Sequence, residues 1–225
     1  MTRPVTAGVP AYFHPDREAA DWAALTEAAR AGTVGIVVVN PASGVGTGTD
    51  PAYRRAVAAL AEVPGVVVAG YVDTAYGARP AGEVLAEARA YATRYGVRGV
   101  FADQVPSGRE HLPAHAALAT DLHAAGLGPL LLNPGVRPDP GYLEIADVVV
   151  TFEGSWEAYC ARRPVETGAG RARTWHLVHG TPAGMIEATR SWVRAAGAHH
   201  GYVTDRRLPN PWDGLPCTAE PAVVA

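Results

Sequence analysis

The stretch Val97-Arg98-Gly99-Val100-Phe101-Ala102-Asp103-Gln104 is a short apolar run that ends on a carboxylate and an amide. The pattern recurs along the chain. Residues 34–40 close on Asn40, 66–73 on Asp73, 129–133 on Asn133, 148–153 on Glu153, 175–179 on His179 and 201–205 on Asp205. Apolar runs of this length, without alternation, fit strands buried on both faces of a parallel sheet. In a closed parallel barrel every strand ends on one rim, and that rim carries the chemistry. The pattern therefore predicts Asp103 near the middle of a functional rim. His14, Asn40, Asp73, Gln104, Asn133, Glu153, His179 and Asp205 are expected around it.

Working outward, strands are expected at 9–13, 35–39, 66–72, 97–104, 129–132, 147–152, 174–178 and 200–204. Helical stretches separate them. Asp16 reads as the N-cap of the first helix, which Gly32 stops, and Asp50-Pro51 as the cap and first turn of a second over 52–61. Further helices are expected over 81–95, 112–125, 141–146 and 156–162, and from Thr181-Pro182 to 196. Residues 164–173 read as a polar loop. Residues 208–216 hold three prolines and Trp212, so they read as an extended cover in place of a full eighth helix. Regular strand–helix alternation with eight strands predicts a compact α/β fold, a single-domain (β/α)8 TIM-type barrel over residues 1–225, with 206–225 as its tail. No Gly-x-Gly-x-x-Gly follows the first strand, which argues against a dinucleotide-binding sheet.

At 225 residues the chain is near the lower end for such a barrel. A net charge of -3 and scattered basic residues give no footprint for nucleic acid. No apolar run is long enough to span a bilayer, and Met1 to Gly8 lacks a signal-peptide core, so a cytoplasmic protein is expected, with export requiring a leader beyond this sequence. Cys160 and Cys217 read as two unrelated thiols.

Two carboxylates facing one cleft suit glycoside hydrolysis, in which one protonates the leaving oxygen and the other attacks the sugar or activates water. Asp103 and Glu153 are the candidates. Two nearby carboxylates cannot both ionise freely, so one should titrate high. Glu153, with Phe152 and Trp156 beside it in sequence, is the expected acid, and Asp103 the ionised partner. Of the aromatic residues near strand ends (Tyr12, Tyr71, Tyr76, Trp156, Tyr202, Trp212), Tyr12, Tyr71 and Trp212 are expected to line the cleft, where flat rings can stack on sugars. His14, His179, Asp73, Asp103 and Asp205 could serve a metal if they converged, but no His-x-His or His-Glu-x-x-His spacing supports one, so neither metal nor cofactor is expected. Two other readings stay open: a barrel enzyme acting on a small intracellular or biosynthetic substrate, and a non-catalytic carbohydrate-binding protein. The sequence is silent on oligomeric state.

Several segments carry a resemblance. Val9-Pro10-Ala11-Tyr12-Phe13-His14-Pro15, Val39-Asn40-Pro41-Ala42-Ser43-Gly44 and Gly70-Tyr71-Val72-Asp73-Thr74-Ala75-Tyr76-Gly77 are three of them. Asn133-Pro134-Gly135, Ala146-Asp147-Val148-Val149-Val150-Thr151-Phe152-Glu153 and Asn210-Pro211-Trp212-Asp213 follow in order. Together they resemble the spherulation-specific family 4 (spherulin-type) proteins, which are similar to glycoside hydrolase family 135. The resemblance implies a (β/α)8 barrel that cuts α-1,4-linked N-acetylgalactosamine-containing polysaccharide. It implies Asp103 as nucleophile and Glu153 as acid/base. From the rim and cleft reading, substrate contacts are expected from His14, Asn40, Tyr71, Asp73, Gln104, Asn133, His179, Asp205 and Trp212. One departure stands out: the family's usual Asp-Glu pair after strand four is here Asp103-Gln104, and Gln keeps the reach of Glu without its charge.

Overall fold

The computed structural model describes residues 5–166 and 173–217. Eight parallel strands close into a barrel in sequence order. They are β1 (Thr6–Ala11), β2 (Val34–Val39), β3 (Val67–Asp73), β4 (Gly99–Asp103), β5 (Leu130–Leu132), β6 (Val148–Ser155), β7 (Arg173–His179) and β8 (His200–Val203). Closure is made by β8 on β1, where Thr6 pairs with His200 and Ala7 with Gly201. Seven α-helices lie between the strands: α1 (Ala19–Arg30), α2 (Pro51–Ala61), α3 (Ala81–Tyr95), α4 (Leu112–Ala124), α5 (Tyr142–Ile145), α6 (Trp156–Arg162) and α7 (Ile186–Ala195). None among the described residues is long and apolar enough to cross a membrane.

Local chemistry sets most boundaries where expected. The Asp50 carboxylate accepts from Ala52 N–H at 2.7 Å with Pro51 in the first turn of α2. Gly96, at φ 73°, ends α3 in the left-handed conformation that glycine allows. Two boundaries differ. Asp16 does not cap α1. Residues 14–18 coil into a turn, with Arg17 and Glu18 N–H both donating to the His14 carbonyl, and Asp16 faces Arg55 at 2.9 Å instead. The last helix starts late because residues Ala183–Met185 form a 3₁₀ turn first. In addition, β1 begins three residues earlier than expected and ends at Ala11. There the Tyr12 N–H leaves the ladder for the carbonyls of Pro10 and Trp212. The expected loop over 164–173 lies mostly outside the described residues.

The barrel interior is filled by side chains from alternate positions. Tyr71, Phe101 and Trp175 form its aromatic centre, with Phe101 6.4 Å from Tyr71 and 5.8 Å from Trp175 between ring centroids. Gly8 must lack a side chain, since a Cβ there would lie 2.5 Å from the Trp175 ring. Phe152, Tyr159, Val178, Ile186 and Val203 form a second apolar cluster with α6 and α7. After β8 no helix follows among the described residues. The chain crosses the rim, where the Tyr202 hydroxyl donates to the Gly214 carbonyl at 2.8 Å. It then returns beside β8, with Cys217 N–H donating to the Val203 carbonyl.

Candidate active site

Alternation along paired strands decides which rim residues look inward. Tyr71 pairs with Phe101, and two residues on Asp73 pairs with Asp103. Leu131 pairs with Phe101, which puts Asn133 on the same face. The inward row of β7 is Trp175, Leu177 and His179, and Glu153 pairs with Leu177. Four neighbouring strands thus deliver Asp73, Asp103, Asn133 and Glu153 to one mouth. The centre of the arrangement is Asn133, which is 6% exposed. Its amide nitrogen donates to Asp103 Oδ1 at 2.7 Å and to Glu153 Oε2 at 2.6 Å. Its amide oxygen accepts from Gly135 N–H at 2.9 Å, which fixes which way the amide faces. Because both bonds share one nitrogen, the two carboxylate oxygens lie no more than about 5.3 Å apart.

Burial pushes the Glu153 carboxyl up to about 7, and the Asp103 charge adds to the rise against the Asn133 hydrogen bond. The desolvation does not come from Phe152 and Trp156, as their sequence positions had suggested. Both face the helix layer, where the Trp156 indole donates to Thr189. It comes from the barrel mouth, where the Glu153 N–H is tied to the Gly135 carbonyl. Asp103 is also raised by burial. Donation from Gln104 N–H, the Tyr71 hydroxyl and Asn133 opposes that rise. Tyr12 stands over the pair: burial first, then the charges of Asp103 and Glu153, hold its phenol protonated well above the ordinary range. The site is therefore a pair of carboxyl groups bridged by one amide, with the Glu153 carboxyl raised to about 7 by burial.

The cleft beside the pair has a volume of ≈ 490 Å³. Tyr12, Asn40, Glu153, His179 and Trp212 all line it. Trp212 packs edge-on against His179 at 6.1 Å, and burial keeps the His179 imidazole below its ordinary pKa. Tyr71 meets Tyr12 at 5.7 Å and reaches Asp103. Of the three aromatic residues expected at the cleft, Tyr12 and Trp212 line it with Glu153, whereas Tyr71 is not among its lining residues and adjoins Asp103 instead. Of the others, Tyr202 is buried core, Trp156 lies in the helix layer and Tyr76 is 65% exposed. Gln104 sits at φ 52°, and its side chain partly offsets the rise of the Tyr71 phenol that burial causes. Asp73 accepts from Ala75 N–H at 2.6 Å and borders a neighbouring groove of ≈ 660 Å³.

Two expected rim residues do not join the carboxylates. His14 lies past the point where β1 leaves the sheet, and its Nε2 is 3.0 Å from Asp50 Oδ2, binding the first loop to the α2 cap. Asp205 falls on the outward parity. In β8 Tyr202 pairs with the inward Leu177, so Thr204 continues the inward row and Asp205 turns out to meet Cys217 Sγ at 3.4 Å. With His14 and Asp205 so engaged, the five residues weighed for a metal do not converge, and among the described residues no group of three or more His, Cys, Asp or Glu is placed to hold a metal ion.

The family model for spherulation-specific family 4 matches residues 7–223. The chain belongs to this family. Within spherulation-specific family 4, Spherulin-4 of Physarum polycephalum is 30% identical over an aligned 218 residues, covering 91% of this chain and 64% of that protein. The chain thus spans a little under two-thirds of that relative's length. The crystal structure of Aspergillus clavatus Sph3 in complex with GalNAc is similar with a TM-score of 0.81 at 27% identity, over 96% of this chain and 95% of that one. Sequence reading missed some lining residues that this family member carries. Ser43, at φ 50°, borders both grooves, and Asn210 reaches from the tail to the Tyr12 carbonyl at 3.3 Å. The Asn210-Pro211-Trp212-Asp213 segment was a usable signal for the second. The Val39-Asn40-Pro41-Ala42-Ser43-Gly44 segment was such a signal for the first.

Proposed function

We propose that this protein is a retaining glycoside hydrolase that cleaves an amino-sugar-containing glycan, of the α-1,4-linked N-acetylgalactosamine type. The observation that carries the reading is the Asn133 amide clasping Asp103 and Glu153 at the mouth of the barrel. Retaining glycosidases hold their carboxyl groups about 5–5.5 Å apart, whereas inverting ones leave roughly 6.5–9.5 Å for a water. The short separation here favours direct attack by a side chain. Protonated Glu153 donates to the glycosidic oxygen as the bond to the anomeric carbon breaks. The ionised Asp103 attacks that carbon and forms a glycosyl ester. Glu153, now a carboxylate, takes a proton from water, which attacks the ester and releases Asp103. A pKa near 7 suits a group that must give and then take a proton near neutral pH.

Three further features support a sugar polymer. Sph3 holds GalNAc on the same fold. Trp212 and Tyr12 line the cleft. The groove bordered by Asp73 adjoins the cleft at Ser43, which leaves room for more than one sugar unit. Gln104 takes no proton in this scheme. Its side chain favours the charged form of the Tyr71 phenol, and the Tyr71 hydroxyl that of Asp103. The test is product analysis by mass spectrometry on purified α-1,4-linked N-acetylgalactosamine oligomers. Cleavage by the native protein is expected, and its loss in both Asp103→Asn and Glu153→Gln. Full activity in both variants, or no cleavage of any amino-sugar oligomer by native protein, would overturn the reading.

A further inference from the structure

Glu153 reaches the site only because β6 carries one residue too many. Its ladder with β7 runs Val148 to Arg173, Val149 to Thr174 and Val150 to Trp175, then resumes at Phe152 with His176 and Glu153 with Leu177. Thr151 has no partner and forms a β-bulge. β7 itself alternates without a break: Trp175 and Leu177 belong to the barrel core, and Val178 to the outer cluster. If the same residues paired in unbroken register, Thr151 would take His176, Phe152 would pair with Leu177 and enter the mouth, and Glu153 would pair with Val178 and enter the apolar layer under α6 and α7. A one-residue change of register inverts the facing of everything after it.

The bulge is fastened by a buried polar cluster that the proposed chemistry does not use. The Thr151 hydroxyl donates to Glu166 Oε1 at 2.6 Å. The same oxygen is 2.8 Å from His176 Nε2, on the strand residue that Phe152 faces. His176 Nδ1 is 3.0 Å from the Tyr159 hydroxyl of α6. Glu166 Oε2 accepts from the Arg137 guanidinium at 2.6 Å, and Glu166 N–H donates to the Ala196 carbonyl. The His176 side chain is fully buried and that of Glu166 is 5% exposed. Burial opposes the Glu166 charge, but His176, Thr151 and Arg137 outweigh it and keep the carboxyl below its ordinary value. A buried ionised group is costly unless it is this well paired, and an apolar replacement often stabilises as much or more. The cluster therefore calls for an explanation beyond stability. It grips the extra residue from outside the barrel, two positions before Glu153.

We propose that Thr151, Glu166 and His176 are positioning residues: they lock the β6 bulge and so aim Glu153 into the cleft. The proposal rests on the acid/base reading of Glu153, and its test separates the two. The decisive variant is Thr151→Val, which keeps shape and β-branching but removes the hydroxyl. Thr151→Ser is the rescue, and Glu166→Gln the second approach should Thr151→Val fold poorly. The Glu153 carboxyl is titrated by ¹³C NMR, assigned through Glu153→Gln, and kcat and KM are measured on N-acetylgalactosamine oligomers. Native protein and Thr151→Ser should titrate near 7. In Thr151→Val and Glu166→Gln the Glu153 titration should move away from that value, and kcat should fall by about tenfold or more with KM little changed. If folded Thr151→Val and Glu166→Gln keep both the native titration and native kcat, the cluster is structural only and the proposal falls. If native protein cleaves no amino-sugar oligomer, yet Thr151→Val alone shifts the titration, positioning stands and the glycosidase reading falls.

Discussion

Replacing Glu153 by Gln should stabilise the folded protein while abolishing its chemistry, and the gain should depend on pH. A carboxyl raised from 4.5 to about 7 on folding binds more protons in the native state than in the unfolded one between those values. Stability must therefore fall as pH rises through that window, because the unfolded state gives up its proton first. Below 4.5 both states carry the proton and nothing is lost. Above 7 the full difference applies, about 3 kcal/mol at 1.36 kcal/mol for each pH unit. Gln carries no such penalty. Its amide oxygen can still accept from Asn133, as Glu153 Oε2 does at 2.6 Å, so the variant leaves that donor paired. Urea unfolding of both proteins at pH 4 and pH 8 measures the effect. Near-equal stability is expected at pH 4, and an advantage for Glu153→Gln of about 2–3 kcal/mol at pH 8, or roughly 5–10 °C in Tm for a chain of this size. A difference that stays flat from pH 4 to 8 would refute the reasoning, because it would mean that Glu153 is not desolvated in the native protein.

Asn133→Ala removes the donor common to both carboxylates, so kcat/KM should drop by about 100-fold and Tm should fall as well, since two buried acceptors lose a partner. Tyr71→Phe takes away the hydroxyl that favours the charged form of Asp103. The Asp103 pKa should then rise further, and the acid limb of the kcat/KM profile should move to higher pH, read directly from rates between pH 3 and 7. Gln104→Glu should preserve or raise cleavage of amino-sugar oligomers, because position 104 supports Tyr71 and takes no proton; a large loss of kcat would show that the neutral amide is required. Trp212→Ala should raise KM by roughly tenfold with a smaller change in kcat, as expected for a wall that binds substrate without reacting, and initial rates over a range of oligomer concentrations would show it.

The barrel was readable because its strands are buried on both faces, so each one prints as an unbroken apolar run ending in a polar residue. The order of those endings also placed Asp73, Asp103, Asn133 and Glu153 on adjacent strands before any coordinates. What the runs do not carry is facing. His14 and Asp205 have the same signature as Asp103. Yet one is claimed by Asp50, 36 residues away, and the other falls on the outward parity after Tyr202. Each outcome depends on where the chain leaves the ladder or on its register with a neighbouring strand. A single run of residues contains neither.

Glu153 shows the same limit from the other side. Counting in twos from the inward Val150 sends Phe152 into the barrel and Glu153 out of it, so simple alternation argues against the residue proposed as the acid. The count fails at Thr151, and the residues that make it fail are Glu166, fifteen positions later, and His176 on the next strand. Phe152 gains by the inversion, since outside the barrel it meets Tyr159 at 4.8 Å in an apolar layer that has no place for a carboxylate. Glu153 escapes that layer by it, but only into a mouth that raises its pKa to about 7. The packing of one residue and the strain on the next are set by the same bulge. A folded protein that keeps both has fixed the facing of Glu153 by satisfying a neighbouring aromatic ring.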